Sequence, residues 1–238
     1  MPRFVVVAIV LAMAFTAPMK SDQPPSDRVN TFSICAYDPD KQEWGVAVAS
    51  KYLAVGAVVP WAKAGVGAVA TQSYVNVSLG PKGLDLMAAG KSAEEALKIL
   101  VEADSGRASR QLGLVDAKGE VATFTGEKCN AWAGGKTGKH YACQGNILAG
   151  EKVIEAMARA FEEAKGPLAW KLMSALDAGD QAGGDKRGKQ SAALLVVRDK
   201  GGPLGLNDRL LDFRVDDHKD PVPELARILA LRVKKPAS

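Results

Sequence analysis

Apolar and polar positions begin to alternate with a period of two at residue 31. The stretch "TFSICAY" is followed by the turn residues "DPDKQ" and by a second extended run, "EWGVAVAS", which together predict a β-hairpin. Two more strands are predicted at "AVGAVVPW" and "GVGAVATQSY". Their nearly continuous Ala, Gly and Val are typical of strands that are covered on both faces.

The hydrophobic period then changes to that of a helix. "GPKGLDLMAAG" and "SAEEALKILVEAD" predict a helix pair, with Gly90 as a stop signal and Ser92 and Glu95 as a capping box. A second hairpin is predicted over "RQLGLVDAKGEVATFTG", with its turn at Lys118-Gly119, and a short extended piece at "HYACQGN".

A second helix pair is predicted at "EKVIEAMARAFEEAK" and "PLAWKLMSALDAG". Each has one apolar face at helical spacing, formed by Val153, Ile154, Met157, Ala158 and Phe161 in the first and by Leu168, Leu172 and Leu176 in the second. Two strands, "QSAALLVVRD" and "LLDFRVD", and a last helix, "DPVPELARILALRVKK", follow. This order does not alternate as a parallel doubly wound fold does. It predicts an α+β fold, a four-layer αββα sandwich of two packed sheets flanked by helix layers.

The N-terminus has the order of a secretory signal. Arg3 precedes the apolar run "FVVVAIVLAMAF", and small residues follow. The run is shorter than the roughly 20 residues that a transmembrane helix needs. We expect a signal peptide over residues 1–17, an exposed leader over 18–30, a single domain over 31–233 and a tail over 234–238. The protein is therefore expected to be periplasmic or secreted, with no membrane attachment after signal removal.

Composition limits the choice of partners. The 238 residues are 47% hydrophobic and 24% charged, which is ordinary for one large domain or two small ones. The net charge is +4, and the basic residues are interspersed with acidic ones rather than gathered into a stripe. We therefore expect no nucleic-acid partner.

The three cysteines could pair after export. Cys129 and Cys143 bracket a Gly-rich loop and are a disulfide candidate, whereas Cys35 lies in an apolar strand and is expected to be a buried, free thiol.

Two glycine-rich motifs are better explained as structural segments. "GVGAVA" at residues 65–70 imitates a dinucleotide fingerprint, but more apolar strand follows it where a helix is required. "GGKTGK" at residues 134–139 lacks the earlier glycine of a phosphate loop and precedes no apolar helix, so a plain loop is expected. No cofactor is implied by either motif.

The chain has only two histidines that could act as a catalytic base. These are His140 and His218, and neither is accompanied by a Gly-x-Ser-x-Gly elbow. Asp216, Asp217, His218 and Asp220 could form an oxygen-rich metal site, but acids before a helix are more often caps and solvated turn residues. We therefore expect no metal.

The segment "GDQAGGDKRGKQSAALLV" is a Gly-rich loop that enters a buried strand. Its glycines would let backbone amides approach a ligand, and Arg187 could clamp a carboxylate with its two-pronged guanidinium. A mobile, soluble surface loop is the alternative.

Thr31, at the head of the first strand, has no neighbouring base. A free N-terminal Thr can use its own α-amine, which titrates near pH ~7.7, to take the hydroxyl proton. Lys51, at the end of the second strand, could lower the pKa of that amine. On spacing alone, the better explanation is that Thr31 is a β-branched residue that opens a strand and that Lys51 is a solvated strand end.

From Thr31 to about Leu231 the chain resembles a family, domain of unknown function 1028, that is described as similar to N-terminal nucleophile (Ntn) hydrolases. The resemblance rests on "TFSICAYDP", "WGVAVASKYLAVGAVVPWAKAGVGAVATQ", "GPKGLDLMAAGKSAEEAL", "YACQGNILAG", "GGDKRGKQSAALLVV" and "RVDDHKDPVPEL". It implies the same αββα sandwich as the element order.

The opening hairpin is similar to that of proteasome-type Ntn enzymes. This likeness implies Thr31 as nucleophile and base, Ser50 and Lys51 as residues that orient it or tune its amine, and Asn146 as an oxyanion partner. The implied pocket is lined by Gln72, Ser73, Arg187, Gln190 and Ser191. Because Asn30 precedes Thr31, the mechanism requires cleavage of the Asn30-Thr31 bond.

These patterns predict an exported Ntn-type amidohydrolase that cleaves a C–N amide bond in a small molecule or short peptide. Two alternatives stay open: a non-catalytic Ntn-like protein that binds a ligand or an envelope partner, and a metal-assisted hydrolase centred on Asp216, Asp217 and His218. Whether the outer helices pair subunits into a homo-oligomer also stays open.

Overall fold

The computed structural model describes residues 28–236. In that range the protein is a mixed α+β structure with two antiparallel sheets and five helices. The predicted signal peptide, leader residues 18–27 and the last two residues of the predicted tail lie outside the described residues.

The first sheet has the strand order β1-β5-β6-β7, and β4 pairs with β5 beside β1. Its strands are β1 (Arg28–Val29), β4 (Pro60–Lys63), β5 (Gly67–Tyr74), β6 (Arg110–Asp116) and β7 (Val121–Thr125). The second sheet has the order β11-β10-β3-β2-β9-β8. Its strands are β2 (Thr31–Asp38), β3 (Glu43–Ser50), β8 (Gly134–Gly138), β9 (Tyr141–Gly145), β10 (Ser191–Val197) and β11 (Arg209–Val215). The hairpins predicted for β2-β3 and β6-β7 are confirmed.

The helices are α1 (Leu79–Ala88), α2 (Ala93–Ala103), α3 (Lys152–Glu163), α4 (Leu168–Gln181) and α5 (Pro221–Ala230). Helices α1 and α2 contact strands of the first sheet, whereas α3, α4 and α5 contact strands of the second. The predicted capping box starts α2: Ser92 Oγ accepts from the Glu95 N–H at 3.2 Å, and Glu95 Oε2 accepts from the Ser92 N–H at 2.9 Å. The apolar faces predicted for α3 and α4 are buried.

Buried apolar side chains of both sheets also meet each other. Strand β2 contacts β5 and β6, and one cluster joins Cys35, Val46 and Val48 of the second sheet to Ala68 and Ala70 of the first. The residues that position the site lie at one end of this inter-sheet layer.

The prediction of a strand at "AVGAVVPW" is mostly wrong. Residues Val55–Ala57 form a short 3-10 turn, and the strand begins only at Pro60. The chain bends because Ala54 takes a left-handed conformation, at φ 53°, and Gly56 packs closely against β10. A Cβ on Gly56 would lie 2.6 Å from the Ala193 Cβ. Apolar composition alone does not distinguish such a packed turn from a strand.

Two further segments differ from the prediction. "GGKTG", expected to be a loop, is the edge strand β8, because its backbone pairs with β9. The leader was expected to be exposed as far as residue 30, yet Val29 and Asn30 are buried and β1 pairs with β5. The folded structure therefore includes residues that the sequence placed before it. Within residues 28–236 no helix is long and apolar enough to cross a membrane.

Candidate active site

A row of buried polar residues crosses the second sheet at one end. Thr31 of β2 is directly opposite Ser50 of β3, and Ser50 is opposite Ser191 of β10. Opposed residues of antiparallel strands point to the same face. Asn146, just after β9, extends the row, because its backbone N–H donates to the Thr31 carbonyl at 3.0 Å. All four residues are buried.

The Thr31 hydroxyl lies in a chain of hydrogen bonds that leads to the preceding peptide bond. Thr31 Oγ1 is 3.0 Å from the Val29 carbonyl oxygen and 3.1 Å from Ser50 Oγ, either of which can accept its proton. Ser50 Oγ in turn donates to the Asn30 carbonyl oxygen at 2.5 Å. The hydroxyl of Thr31 and the carbonyl that precedes it are thus joined through one serine.

A charged donor binds the same carbonyl. Arg187 Nη2 donates to the Asn30 carbonyl oxygen at 2.9 Å. The Asp185 carboxylate holds this guanidinium, since it accepts from Arg187 Nε at 3.0 Å and from Nη2 at 2.6 Å, and it also accepts from the Lys51 backbone N–H at 3.1 Å. The Asp185 side chain is only 1% exposed. A fixed guanidinium of this kind polarises a carbonyl and would stabilise negative charge on its oxygen.

Glycines shape the loop that carries this pair. Gly183 has φ +112° and Gly188 has φ +111°, a conformation that residues with a Cβ rarely adopt. The two glycines let the chain turn on both sides of Asp185 and Arg187, so that the loop reaches Asn30.

Side-chain amides from the first sheet support Thr31 from the other side. Gln72 Nε2 is 3.4 Å from the Thr31 carbonyl oxygen and donates to Gln111 Oε1 at 2.9 Å. Asn146 Nδ2 also donates to Gln111 Oε1, at 2.9 Å, and Ser33 Oγ donates to Gln72 Oε1 at 2.6 Å. This network fixes the spacing of the two sheets where Thr31 lies.

Some polar atoms at this end of the sheet have no partner. Among the described residues, the buried Asn30 Oδ1 and Asn146 Oδ1 accept no hydrogen bond. The backbone beside them is also unusual, because Ser73 has φ 71° and Ile147 has φ 52°. A positive φ is rare for a β-branched residue, and strained backbone of this kind is concentrated at functional sites.

Residues 31–225 match the family model described as a family of unknown function, DUF1028. The chain belongs to the DUF1028 family. Protein SPO2555 from Silicibacter pomeroyi, described as a DUF1028 protein, is 31% identical to this chain, and its crystal structure matches with a TM-score of 0.78 over 86% of this chain and 91% of that one.

Anbu (ancestral beta-subunit) from Yersinia bercovieri matches at 12% identity and a TM-score of 0.39, over 87% of this chain and 99% of that one. A search of proteins with curated functions gave no match.

The structure of this DUF1028 protein brings Thr31, Ser50, Gln72, Asn146 and Arg187 together, whereas two other predicted site residues point elsewhere. The Lys51 ammonium is exposed and lies 3.4 Å from the Lys189 carbonyl oxygen, so only the backbone of Lys51 takes part. Gln190 Nε2 donates to Asp217 Oδ1 at 3.2 Å, on the exterior.

Two further predicted pocket residues, Ser191 and Ser73, make no side-chain hydrogen bond to Thr31. Ser191 Oγ donates to the Tyr52 carbonyl and accepts from the Val55 N–H, so it fixes the turn after β3. Ser73 is opposite Val29 in the register of β5 and β1, and its buried hydroxyl makes no hydrogen bond within residues 28–236.

Gln144 Nε2 donates to Ser33 Oγ at 2.6 Å and so joins the same network as Gln72 and Gln111. The sequence did not indicate four residues of this network and of the neighbouring loop as functional positions: Ser33, Gln111, Gln144 and Asp185. The sequence did contain an indication of Gln111 and Gln144, because each is a polar residue within an apolar strand, at a position that is buried. Nothing in the sequence distinguished Asp185 from the other charged residues of its loop.

A cavity of about 490 Å³ opens beside Ser50 on the side of the glycine-rich loop. Its lining includes the apolar residues Phe32 and Ala49 and the charged residues Asp180, Lys186 and Lys189. Lys189 Nζ binds Asp180 Oδ2 at 2.5 Å. The cavity reaches Ser50 and Asp185, whereas Thr31 and Asn30 do not line it.

The predicted disulfide between Cys129 and Cys143 is wrong: all three cysteines are free thiols. Cys143 faces the helix-covered core of the second sheet, whereas Cys129 Sγ donates to the Arg110 carbonyl at 3.3 Å, on the first sheet. Burial raises the pKa of both thiols above the ordinary value. Cys35 is free and buried, as expected.

The residues of the metal alternative are engaged in turn contacts. His218 Nδ1 accepts from the Asp220 N–H at 3.0 Å, and Asp217 binds Gln190. Across residues 28–236 no three His, Cys, Asp or Glu side chains gather as they would around a metal ion.

Proposed function

We propose that this DUF1028 protein is an Ntn-type amidohydrolase in which Thr31 attacks the carbonyl of a C–N amide bond, first that of its own Asn30-Thr31 bond and then that of a substrate. The observation that carries this proposal is the hydrogen-bonded chain from Thr31 Oγ1 through Ser50 Oγ to the Asn30 carbonyl oxygen, with Arg187 donating to the same oxygen.

The first reaction removes the leader. Thr31 Oγ1 attacks the Asn30 carbonyl carbon while its proton passes to Ser50 Oγ, and the proton of Ser50 passes to the Asn30 carbonyl oxygen. That oxygen returns its proton to the Thr31 nitrogen as the C–N bond breaks, which leaves an ester between Asn30 and Thr31 Oγ1. Water then hydrolyses the ester to the Asn30 carboxylic acid, and Thr31 keeps a free amine and hydroxyl.

Turnover of a substrate uses the same atoms. The freed amine titrates near pH ~7.7 and can take the Thr31 hydroxyl proton without a histidine. With Asn30 gone, Ser50 Oγ and Arg187 are available to stabilise the oxyanion of the substrate carbonyl. We assign them this role in place of Asn146, whose Nδ2 donates to Gln111.

The family match begins at Thr31, which supports a functional unit that starts with this residue. The helices on the outer sides of two contacting sheets support the αββα arrangement of the Ntn class. We further propose that the protein is exported, since the first residues have the order of a secretory signal, and that its substrate is a small-molecule or short-peptide amide.

The decisive experiment is intact mass measurement and N-terminal sequencing of the full-length chain, expressed as wild type, Thr31→Ala and Thr31→Ser. We expect wild type to begin at Thr31, Thr31→Ala to retain Asn30, and Thr31→Ser to be cleaved, because it keeps the hydroxyl. Thr123→Ala removes a Thr hydroxyl from β7 and serves as the matched control.

A panel of chromogenic amides tests the second reaction with the same proteins. Activity in wild type and its loss in Thr31→Ala are expected. If wild type keeps Asn30 attached and cleaves no amide, the proposal is wrong.

The burial of Thr31 together with Val29 and Asn30 favours a second candidate, a non-catalytic Ntn-like protein of the cell envelope that binds a ligand or a partner. This candidate predicts an intact Asn30-Thr31 bond and ligand binding that is unchanged in Thr31→Ala.

A further inference from the structure

The leader residues next to Thr31 are bound like a ligand. Strand β1 is antiparallel to β5, with Val29 opposite Ser73 and Arg28 opposite Tyr74. The same edge of β5 is paired with β4 only over Gly67–Ala70, and Pro60 is opposite Ala70. The part of this edge near Ser73 is therefore covered by β1, which precedes the bond that Thr31 is proposed to cleave.

Val29 fills an apolar socket. It is fully buried and belongs to the inter-sheet cluster that includes Val48, Val55 and Ala70. Removal of the leader would leave an apolar space of the size of a branched aliphatic side chain. This space lies at the position of Val29, one residue before Asn30, which carries the reactive carbonyl.

Asn30 is bound by its backbone and not by its carboxamide. Its carbonyl oxygen accepts from Ser50 and Arg187, whereas its buried Oδ1 accepts no hydrogen bond among the described residues. A buried carbonyl without a donor is unfavourable, so the position is not built for a carboxamide. A small, uncharged side chain would fit it at least as well.

We infer that residues 28–30 occupy the acyl side of the substrate site, and that the matured protein binds an extended peptide as an added strand on the edge of β5. The peptide carries a branched aliphatic residue in the Val29 socket and a small, uncharged residue at the reactive carbonyl. This inference rests on the proposed function and assigns its substrate class. Strand addition to an exposed sheet edge supplies affinity through the backbone, and the socket supplies selectivity.

The test within the chain is the rate of self-cleavage of pulse-labelled full-length protein. Val29→Asp places a charge in the socket, and Val29→Thr keeps the shape while adding a hydroxyl. We expect Val29→Asp to slow cleavage at least tenfold, and Val29→Thr to fall between it and wild type. Val29→Thr keeps the test valid if Val29→Asp does not fold.

The test on added substrates uses acetylated tetrapeptide p-nitroanilides and the matured wild-type protein. Ala-Ala-Val-Ala is expected to exceed Ala-Ala-Asp-Ala at least tenfold in kcat/KM. In Asp-Ala-Val-Ala the same charge lies two residues away from the socket, and this matched control is expected to resemble Ala-Ala-Val-Ala.

The outcomes separate the two proposals. Absence of self-cleavage in wild type overturns the proposed function and this inference together. Self-cleavage at equal rates in wild type, Val29→Thr and Val29→Asp overturns this inference alone. So does hydrolysis of small amides without any preference for Val over Asp in the peptides.

Discussion

Asp185 determines where the guanidinium of Arg187 lies. Its two carboxylate oxygens accept from Arg187 Nε and Nη2, and this places Nη2 at the Asn30 carbonyl oxygen. A carboxylate that binds a guanidinium in this two-pronged way fixes its orientation as well as its charge.

We predict that Asp185→Asn slows self-cleavage by at least about tenfold, because the loss of one charged hydrogen-bonded contact weakens stabilisation of the oxyanion by a few kcal/mol. Asp180→Asn is the matched control, since Asp180 binds Lys189 beside the same cavity. The measurement is a time course of the precursor and mature masses, with thermal melting of both variants. Equal rates for the two variants would remove Asp185 from the proposed mechanism.

The directions of several site residues follow from strand parity. Successive residues of a strand point to opposite faces, so a buried, inward Ser50 makes an outward Lys51 the expected neighbour, and Ser191 does the same for Gln190. The sequence could therefore place Thr31 and Ser50 on one face of the hairpin, but it also placed the Lys51 side chain beside Thr31, whereas the structure shows that side chain exposed. Gln111 and Gln144 lie far from Thr31 in the chain, and only the register of the two sheets brings them to it.

The α2 N-terminus shows how one element responds to pH. The backbone N–H of Ser92 donates to the Glu95 carboxylate, and this bond, with Lys91, holds the pKa of Glu95 below its ordinary value. A depressed folded pKa means that the ionised carboxylate stabilises the folded state above the unfolded pKa, and that this stabilisation is lost as pH falls through the folded pKa.

We predict that Glu95→Gln is less stable than wild type at pH 7, and that the difference shrinks as the pH falls below about 4. Urea unfolding at a series of pH values measures it. Glu94→Gln, at the next position of the same turn, changes the same charge without the capping bond and is the control. A difference that does not depend on pH would contradict the prediction.

Elements with a strong period were predictable, and elements fixed by distant partners were not. The apolar faces of α3 and α4 repeat at helical spacing over several turns, so their burial could be foreseen. Strand β8, "GGKTG", has no apolar period. It is a strand because its backbone pairs with β9.

At the scale of the whole molecule, α4 is held on the second sheet by close contact with a glycine. Leu172 is fully buried, and a Cβ on Gly45 of β3 would lie 2.7 Å from the Leu172 Cδ1. The leucine therefore fills the space that this glycine leaves open.

We predict that Leu172→Ala lowers the free energy of unfolding by about 2–5 kcal/mol, because it leaves a cavity between helix and sheet. Leu206→Ala, at a residue that is 80% exposed, should change it by less than about 0.5 kcal/mol. Urea unfolding of both variants measures the difference. Similar values for the two would mean that this contact does not stabilise the fold.

The sequence predicted a mixed α+β fold, and residues 28–236 form two antiparallel sheets and five helices. The sequence did not predict that residues 28–30 complete the first sheet, because a two-residue strand has no period of its own and is specified by the edge of β5 that it covers.

The buried position of Thr31 and Asn30 has a kinetic consequence. Both side-chain donors to the Asn30 carbonyl oxygen, Ser50 Oγ and Arg187 Nη2, belong to the same chain as Thr31, and Asn30 and Thr31 are buried, so the proposed attack of Thr31 on this bond needs no second protein molecule. Maturation by this route is a first-order process. The half-time of self-cleavage would not depend on the protein concentration, and each molecule would mature independently of the others after folding.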